Sequence, residues 1–244
     1  MNLTTNVRIV LVEPAGALNV GAIARVMKNM GLYQLVLVNP QCDPLGEEAR
    51  RMAVHGGEVL EGATRFENLP EALEGCQRAI ATTARDRHVP LTLETPKQVL
   101  PWCLEGSPTA LIFGPEYRGL SNQELNYAQR FLGIPSNPEY PSLNLAQAVA
   151  VCVYELYQLS QNNLAVPPQT TEAARLEDIE GYYQHLESTL LKIGYLQPHT
   201  ATARMAKFRR LYNRASLSQD EVALLRGILR QVEWAIKHQA GDAE

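Results

Sequence analysis

The chain has 244 residues, 45% of them apolar and 20% charged, with a formal net charge of −4. This composition suits a folded protein with a sizeable core, and the mild charge argues against a uniformly basic nucleic-acid binder. No stretch has the length of apolar residues needed for a membrane span, and residues 1–12 are typical of a first strand rather than a signal peptide. The 4 cysteines are widely spaced, which favours free thiols in a reducing cytoplasm over a zinc site or disulfide framework.

The first two thirds of the chain alternate between short apolar runs and helical patterns. The runs predicted to be strands are 8–13, 35–39, 78–83, 109–114 and 130–135. The segments with helical spacing are 21–31, 69–74 and 121–127. The last of these begins with a Ser121-x-x-Glu124 capping box. Continuous apolar strands separated by helices predict a parallel sheet covered on both faces, which is an α/β domain.

The last third of the chain contains only helical patterns. A proline-bearing segment, 163–171, has the composition of a linker. After it, helices are predicted over 172–193, over 203–212 and from a second capping box at Ser218-x-x-Glu221. The sequence therefore predicts two domains, an α/β domain over 1–162 and a small all-helical C-terminal domain over 172–244.

The common nucleotide-binding and hydrolase motifs are absent from the sequence. It has no G-x-x-x-x-G-K-[ST] loop, no G-x-G-x-x-G, no H-E-x-x-H and no G-x-S-x-G. These absences disfavour a P-loop enzyme, a doubly wound NAD-type oxidoreductase and a zinc hydrolase, and we expect no metal.

The loop after the first predicted strand carries the sequence NVGAIAR, residues 19–25. Asn19 is placed where a helix N-cap would lie, and Gly21 permits close backbone approach. Arg25 is either a solvent-facing arginine on an amphipathic helix or an anion clamp near the start of that helix.

The loop after the strand at 109–114 reads IFGPEYRGL, residues 112–120. A plain strand-to-helix turn explains this pattern. However, ligands bind at the carboxyl ends of parallel strands, and Glu116 and Arg118 are well placed for polar contacts there.

The third loop opens the longest apolar helix, in NPEYPSLNLAQAVAVCVYEL, residues 137–156. Pro138 and Pro141 restrict its backbone, and Ser142 or Asn144 can cap the helix. Only Gln147 is polar between residues 145 and 153, so this is either a central core helix or a helix at a subunit interface.

Taken together and in this order, the three loops resemble the three motifs of the SPOUT (SpoU–TrmD) methyltransferase superfamily. The resemblance covers residues 1–160. The loop ATTARDR at 81–87, the words SNPEYPSLNLA and the C-terminal segments YYQHLESTLLKIGYL and KFRRLYNRA are similar to the branch called TrmJ. That branch methylates the ribose 2′-oxygen in the tRNA anticodon loop.

The resemblance implies a deep trefoil knot, S-adenosylmethionine as the methyl donor, and homodimers with shared active sites. The residues that it places at the donor are Thr82, Thr83, Ala84, Gly114, Ile134, Ser142, Leu143 and Asn144. The residues that it places in catalysis are Arg25, Asn19, Glu116, Ser142 and Asn144. Because a guanidinium does not normally give up a proton, we expect Arg25 to orient the ribose and stabilise its forming oxyanion rather than act as general base.

The expected substrate is tRNA, methylated at the ribose of cytidine or uridine at nucleotide 32. Five basic residues and no acid lie in the segment 204–214 despite the negative net charge. The residues predicted to bind RNA are Arg85, Arg87, Lys207, Arg209, Arg210 and Arg214. A merely solvated helix is the alternative for the C-terminal group. A catalytically silent RNA-binding relative and a methyltransferase acting on another RNA are the alternative functions.

Overall fold

A computed structural model describes residues 6–83, 91–161 and 173–239, and the chain divides into two compact units, Met1–Gln169 and Thr170–Glu244. The first unit is built on a seven-stranded sheet whose pairings are all parallel. Its strands are β1 (Val7–Val12), β2 (Gln34–Val38), β3 (Thr64–Phe66), β4 (Arg78–Thr82), β5 (Leu93–Glu94), β6 (Thr109–Phe113) and β7 (Arg130–Leu132). The predicted α/β class with a parallel sheet is therefore confirmed.

The strand order across the sheet is β3-β2-β1-β6-β4-β7-β5. The central strands are completely buried, because helices cover both faces. Ile9 of β1, for example, pairs with Leu111 of β6, and both are 0% exposed. Because the strands are parallel, their carboxyl ends all meet at one edge, where the ends of β1, β6, β4 and β7 lie side by side.

Seven α-helices of the described residues accompany this sheet. They are α1 (Ala17–Asn29), α2 (Glu47–Ala53), α3 (Gly57–Glu61), α4 (Leu69–Ala72), α5 (Pro96–Val99), α6 (Asn122–Leu125) and α7 (Leu145–Gln161). Short 3-10 turns occupy Val54–Gly56 and Leu100–Leu104. Helix α1 ends at Asn29 with Met30 at its C-cap, one residue before the predicted Gly31, whose φ of 69° is the left-handed conformation that glycine adopts most easily.

Gly21 permits a close backbone approach, as the sequence predicts, and the element that approaches is α2. A Cβ atom at residue 21 would stand 2.2 Å from the Ala49 carbonyl oxygen and 2.9 Å from the Met52 Cβ. Gly56 plays the same part in the next turn, where a Cβ would lie 2.8 Å from the Cα of Arg25. The glycines therefore fix where α1 lies in the fold, and with it the loop that precedes it.

The sequence did not predict the short edge elements. Strands β3 and β5 have three and two residues and partly exposed side chains, so neither shows the continuous apolar run of a buried strand. Helix α2 buries only two alanines, Ala49 and Ala53, and its sequence EEARRMA carries no apolar stripe. These elements exist because the neighbouring strand or helix holds them, which local periodicity cannot show.

The second unit is helical, with α8 (Leu176–Lys192), α9 (Ala201–Ala215) and α10 (Gln219–Gln239). Its core centres on Tyr182, Tyr183 and Tyr212, with the rings of Tyr182 and Tyr212 edge to face at 5.3 Å. The predicted capping box at Ser218 and Glu221 is present at the start of α10. The predicted linker, 163–171, lies outside the described residues.

The cysteines are free, as predicted. Cys76, Cys103 and Cys152 are buried and Cys42 is partly exposed. Burial raises the pKa of Cys103 to about 12, so its thiol stays neutral and acts as a small apolar side chain in the core.

Candidate active site

An open cleft lies at the carboxyl edge of the three neighbouring strands β6, β4 and β7. It contains about 970 Å³ of empty space, a figure that includes the solvent at its mouth. The residues that line it are Thr82, Thr83, Phe113, Gly114, Pro115, Glu116, Gly119, Leu132, Ile134, Pro141, Ser142, Leu143, Leu145 and Ala148. The second and third loops of the sequence thus meet in one place, together with the end of β4.

The lining contains most of the residues that the sequence predicts at the methyl donor. The predicted residues found there are Thr82, Thr83, Gly114, Ile134, Ser142 and Leu143. Asn144 follows them directly in the chain but does not line the cleft, and Ala84 lies outside the described residues. The prediction missed the strand-end apolar residues Phe113 and Leu132, which local pattern marks only as core.

Three of the predicted catalytic residues form one hydrogen-bonded chain that joins the three loops. Asn144 Nδ2 donates to Asn19 Oδ1 at 3.0 Å, and Asn19 Nδ2 donates to Glu116 Oε1 at 2.7 Å. The other carboxylate oxygen of Glu116 accepts from the backbone N–H of Ala15 at 3.1 Å. The side chains are therefore oriented before any ligand binds, and each lies on a different loop.

The position of Asn19 corrects the sequence prediction. Helix α1 begins at Ala17 with Gly16 at its N-cap, so Asn19 lies inside the first turn and does not cap it. Because the Asn19 side chain does not cap the helix, its amide can bond another element, and it donates to Glu116. The capping residue that the sequence predicts at the third loop is present, because Asn144 Oδ1 accepts from the N–H groups of Ala146 and Gln147 at 2.9 and 3.3 Å.

The second loop is folded tightly back on itself at Gly114. A Cβ atom there would stand 2.3 Å from the backbone nitrogen of Leu120, so only glycine fits between the strand end and the returning chain. Gly119 makes the return in the left-handed conformation, with φ of 66°. This turn presents Glu116 at its outer side, towards Asn19.

Arg118 does not face the cleft as a ligand contact, contrary to the sequence expectation. Its guanidinium pairs with Glu13 at 2.7 Å and with Glu124 at 2.8 Å. Tyr117 adds a hydrogen bond from its hydroxyl to the same Glu13 carboxylate at 3.1 Å. Glu13 follows β1 with φ of 46°, so the ion pair ties the end of β1 to the second loop and to α6.

Replacing Arg118 by alanine is expected to destabilise the protein by about 2 kcal/mol, because it leaves two partly buried carboxylates unpaired. Burial acts to raise the pKa of Glu124, but hydrogen bonds from Arg118 and Ser121 outweigh it and hold that pKa below its ordinary value. This carboxylate therefore stabilises the fold above the pKa it has in the unfolded chain, and the effect disappears as the pH falls through its lower folded-state pKa. Urea unfolding at neutral and acidic pH measures both effects.

Lys28→Ala is the matched control for that measurement. Its ion pair with Glu58, at 2.9 Å, is more exposed to solvent, so its loss is expected to cost no more than about 0.5 kcal/mol. Equal losses for the two variants, or an Arg118→Ala loss that stays constant into acid, would contradict the structural role of the cluster.

Arg25 lies six residues beyond Asn19 on α1, about 9 Å along the helix axis. Its side chain is exposed, and among the described residues it has no hydrogen-bond or ion-pair partner. The structure therefore does not bring Arg25 into the bonded chain of Asn19, Glu116 and Asn144. It places the guanidinium on the same helix, unengaged and open to an incoming anion.

The predicted RNA-binding residues of α9 divide into two groups. Lys207, Arg210 and Arg214 recur at helical spacing on the outer face of α9, and none of the described residues forms an ion pair with them. Arg209 instead packs 4.5 Å from the ring centroid of Tyr183 and holds the Glu180 carboxylate with both guanidinium nitrogens. Arg209 stabilises the helical unit, and its contact with RNA stays a prediction. Arg85 and Arg87 lie outside the described residues.

Candidate metal sites and membrane-spanning helices are both absent from the part of the chain that the structure describes. It contains no group of three or more histidine, cysteine or acidic side chains arranged to hold a metal ion. None of its helices is both long enough and apolar enough to cross a membrane.

Two family models match the chain, one in each unit. The SpoU rRNA Methylase family matches residues 6–154, which include all three loops of the site. The model of the tRNA methyltransferase TrmJ C-terminal domain matches residues 177–242, which span α8 to α10.

Relatives and a solved structure extend the match over nearly the whole chain. A Pseudomonas aeruginosa protein named tRNA (cytidine/uridine/adenosine-2′-O-)-methyltransferase TrmJ is 41% identical over 93% of this chain and 93% of its own length. A Pectobacterium atrosepticum protein named tRNA (cytidine/uridine-2′-O-)-methyltransferase TrmJ is 41% identical over 93% of this chain and 97% of its own. The crystal structure of TrmJ from Z. mobilis superimposes with a TM-score of 0.83 at 33% identity, covering 93% and 98% of the two chains. The chain therefore belongs to the SpoU methylase family and, within it, to the TrmJ tRNA methyltransferases.

Proposed function

We propose that the protein is an S-adenosylmethionine-dependent tRNA 2′-O-ribose methyltransferase that acts on cytidine or uridine at nucleotide 32 of the anticodon loop. Its family membership supports the reaction class and the tRNA substrate. The observation that carries the proposal is the hydrogen-bonded chain from Glu116 through Asn19 to Asn144 beside the cleft. It unites three separate loops at the carboxyl edge of the sheet, where a parallel α/β fold binds its ligands.

The cleft fits the chemistry of this methyl donor. The partly exposed apolar side chains of Ile134 and Leu143 offer contacts to an adenine ring, and the exposed hydroxyl of Ser142 offers a polar contact to a ribose or an amino acid. The Glu116 carboxylate supplies negative charge on the same wall, which suits a sulfonium cation. The residues that would hold the donor are the predicted ones that line the cleft, namely Thr82, Thr83, Gly114, Ile134, Ser142 and Leu143.

When bound, the donor supplies a methyl group on a positively charged sulfur, which leaves as a neutral thioether. The protein must align the ribose 2′-oxygen with that methyl carbon and accept or share the hydroxyl proton. Ser142 has an exposed hydroxyl that bonds no other described residue, and the second N–H of Asn144 is directed by its bond to Asn19. These groups, with Arg25, can orient the ribose hydroxyl and stabilise negative charge as it develops on the oxygen.

The structure also supports a homodimer. On α7, Leu145, Val149 and Val153 are buried, but Val151, Tyr154 and Tyr157 form an exposed face within the single chain. An exposed stripe of large apolar side chains next to the third loop is what an isologous interface needs. We include in the proposal the trefoil knot of the family, with α7 threading it, and active sites shared between two copies.

Substitutions at Asn144 can distinguish its capping role in α7 from its proposed catalytic role. Asn144→Asp keeps an oxygen for the first turn of α7 but replaces the amide that donates to Asn19. We expect this variant to keep its unfolding free energy within about 0.5 kcal/mol and to lose activity about a hundredfold. Asn144→Ala is expected to lose activity and, in addition, about 1 kcal/mol of stability with the cap.

Urea unfolding and initial methylation rates, measured on the same preparations, test this pair of variants. A fully active Asn144→Asp protein would show that the bond to Asn19 is not needed for the reaction.

Transfer of labelled methyl groups from S-adenosylmethionine to bulk tRNA tests the proposed function. Mass spectrometry of the product, and of tRNA from cells lacking the protein, then maps the methylated ribose. Tight tRNA binding without transfer would identify a silent RNA-binding relative. Transfer to ribosomal RNA but not to tRNA would identify a different substrate, and methylation away from nucleotide 32 would overturn the proposed position.

A further inference from the structure

Tyr140 stands out as an exposed aromatic side chain beside the candidate active site. Its side chain is 79% exposed, more than any other large apolar side chain that the structure describes. It directly precedes Pro141, Ser142 and Leu143, which line the cleft. A large ring left uncovered at this position has no role in the core of the fold.

The backbone that carries Tyr140 is nevertheless well ordered by local bonds. Its N–H donates to the Asn137 carbonyl at 3.0 Å, and the Ser136 hydroxyl donates to the Pro141 carbonyl at 3.0 Å. The Asn137 side chain accepts from the N–H of Glu139 at 3.0 Å. Together with Pro138, these bonds restrain the backbone that carries the ring, so that little backbone freedom remains to be lost when a ligand covers it.

A second exposed tyrosine borders the same cleft from the other loop. Tyr117 is 64% exposed and follows Glu116, which lines the cleft. Its hydroxyl is held by Glu13, so the ring is fixed in place by the ion-pair cluster of Arg118. The loops after β6 and β7 thus each carry one solvent-facing ring close in the chain to residues that line the cleft.

The chemistry around Tyr140 selects the kind of group that can cover it. Its chain neighbours Pro138, Glu139, Pro141 and Ser142 include no cation that would bind a phosphate. The face of an aromatic ring suits a neutral planar partner, and unpaired nucleobases stack on such rings in RNA-binding proteins. An anticodon loop presents unpaired bases at, and on one side of, the ribose to be methylated.

We propose that Tyr140 stacks on an unpaired nucleobase next to the target ribose and so positions that ribose at the cleft. This inference rests on the proposed tRNA methyltransferase function. Tyr140 is a positioning residue in this scheme, because it holds the substrate by its base and does not touch the reacting atoms. Its contribution is independent of phosphate contacts and should not depend on salt.

Kinetics with tRNA test the stacking role, using Tyr140→Ala, Tyr140→Phe and the control Tyr33→Ala. Tyr33 is also exposed, at 45%, but lies before β2, at the opposite edge of the sheet. Tyr140→Ala is expected to raise the KM and Kd for tRNA about tenfold to a hundredfold, with kcat changed less than about threefold. Tyr140→Phe, which keeps the ring, should stay within about twofold of the parent, and Tyr33→Ala should match the parent.

Three further readouts separate stacking from other roles of Tyr140. Donor affinity by calorimetry, the salt dependence of tRNA binding and the molecular mass in solution should all be unchanged in Tyr140→Ala. A weaker donor affinity would show that the residue shapes the donor loop, and a lower mass would show that it packs against a second copy. Either result, an unaffected KM, or equal losses in the alanine and phenylalanine variants would overturn the inference. If the unmodified protein does not methylate tRNA at all, the proposed function fails before this test begins.

Discussion

Replacing Arg25 by alanine is expected to reduce methyl transfer to tRNA by about a hundredfold to a thousandfold while leaving donor affinity within about twofold. The guanidinium is exposed and unpaired among the described residues, so its loss removes no bond that holds the fold together. In the proposed reaction its guanidinium stabilises the oxygen from which the proton departs, and removing one such group typically costs about a hundredfold to a thousandfold. Single-turnover methylation, calorimetry with the donor, and thermal unfolding together measure the effect.

Arg25→Lys is the matched control, because it keeps the charge and loses the planar fork that can hold two oxygens at once. A role in simple charge stabilisation predicts that lysine recovers most of the lost rate. A role in orienting the ribose or a phosphate by paired hydrogen bonds predicts that it recovers little. Turnover that survives in Arg25→Ala would contradict the assignment of Arg25 to the reaction.

The separation of Arg25 from the bonded chain of Asn19, Glu116 and Asn144 bears on the dimer. If each active site takes Arg25 from one copy and Asn144 from the other, two inactive variants can complement each other. Mixed dimers of Arg25→Ala and Asn144→Asp would then contain one fully intact site and regain activity. If both residues act within one copy, each mixed dimer has two damaged sites and stays inactive.

The convergence of the three loops at one edge of the sheet could be predicted from the sequence, because the end of a buried strand is visible in the local residue pattern. An apolar run that stops at Gly114 or Thr82 marks the carboxyl end of a buried strand, and parallel sheets bring such ends to one edge. The three loops therefore converge in the structure as their positions in the sequence imply. The edge strands β3 and β5 could not be predicted, since their pairing partners and not their own residues determine them.

Side-chain partners over long sequence distances were the part that the sequence did not predict. The sequence pattern around Arg118 favoured a contact with a ligand. In the structure its guanidinium instead pairs with Glu13, 105 residues away. Asn19 had the position of a cap, but α1 starts two residues earlier and its amide reaches Glu116. In each case the choice among possible partners depended on the tertiary fold.

Arg209 shows the same limit within the helical unit. The run of basic residues on α9 does not reveal which of them face solvent. Helical spacing places Lys207, Arg210 and Arg214 on one outer arc, while Arg209 points towards Glu180 and Tyr183. This geometry favours tRNA binding by Lys207, Arg210 and Arg214 on the outer arc, and stabilisation of the helical unit by Arg209.

Neutralising that arc, with Lys207→Gln, Arg210→Gln and Arg214→Gln together, is expected to weaken tRNA binding about tenfold to a hundredfold. Each phosphate contact that is lost removes about one released counterion, so losing three should lower the slope of log Kd against log salt by about two to three. Donor affinity and the unfolding free energy should stay unchanged, because none of the three side chains has an ion-pair partner among the described residues.

Filter binding of tRNA across a range of salt concentrations measures this slope. Two further variants serve as controls. Lys207→Arg, Arg210→Lys and Arg214→Lys, which keep all three charges, should retain the parent slope, since a phosphate contact depends on charge more than on shape. Arg209→Gln should instead lower the unfolding free energy, because it leaves the Glu180 carboxylate without its partner. An unchanged salt slope in the triple glutamine variant would place the tRNA on another surface, whereas a reduced slope with intact methylation of saturating tRNA would separate docking of the RNA from the chemistry at the cleft.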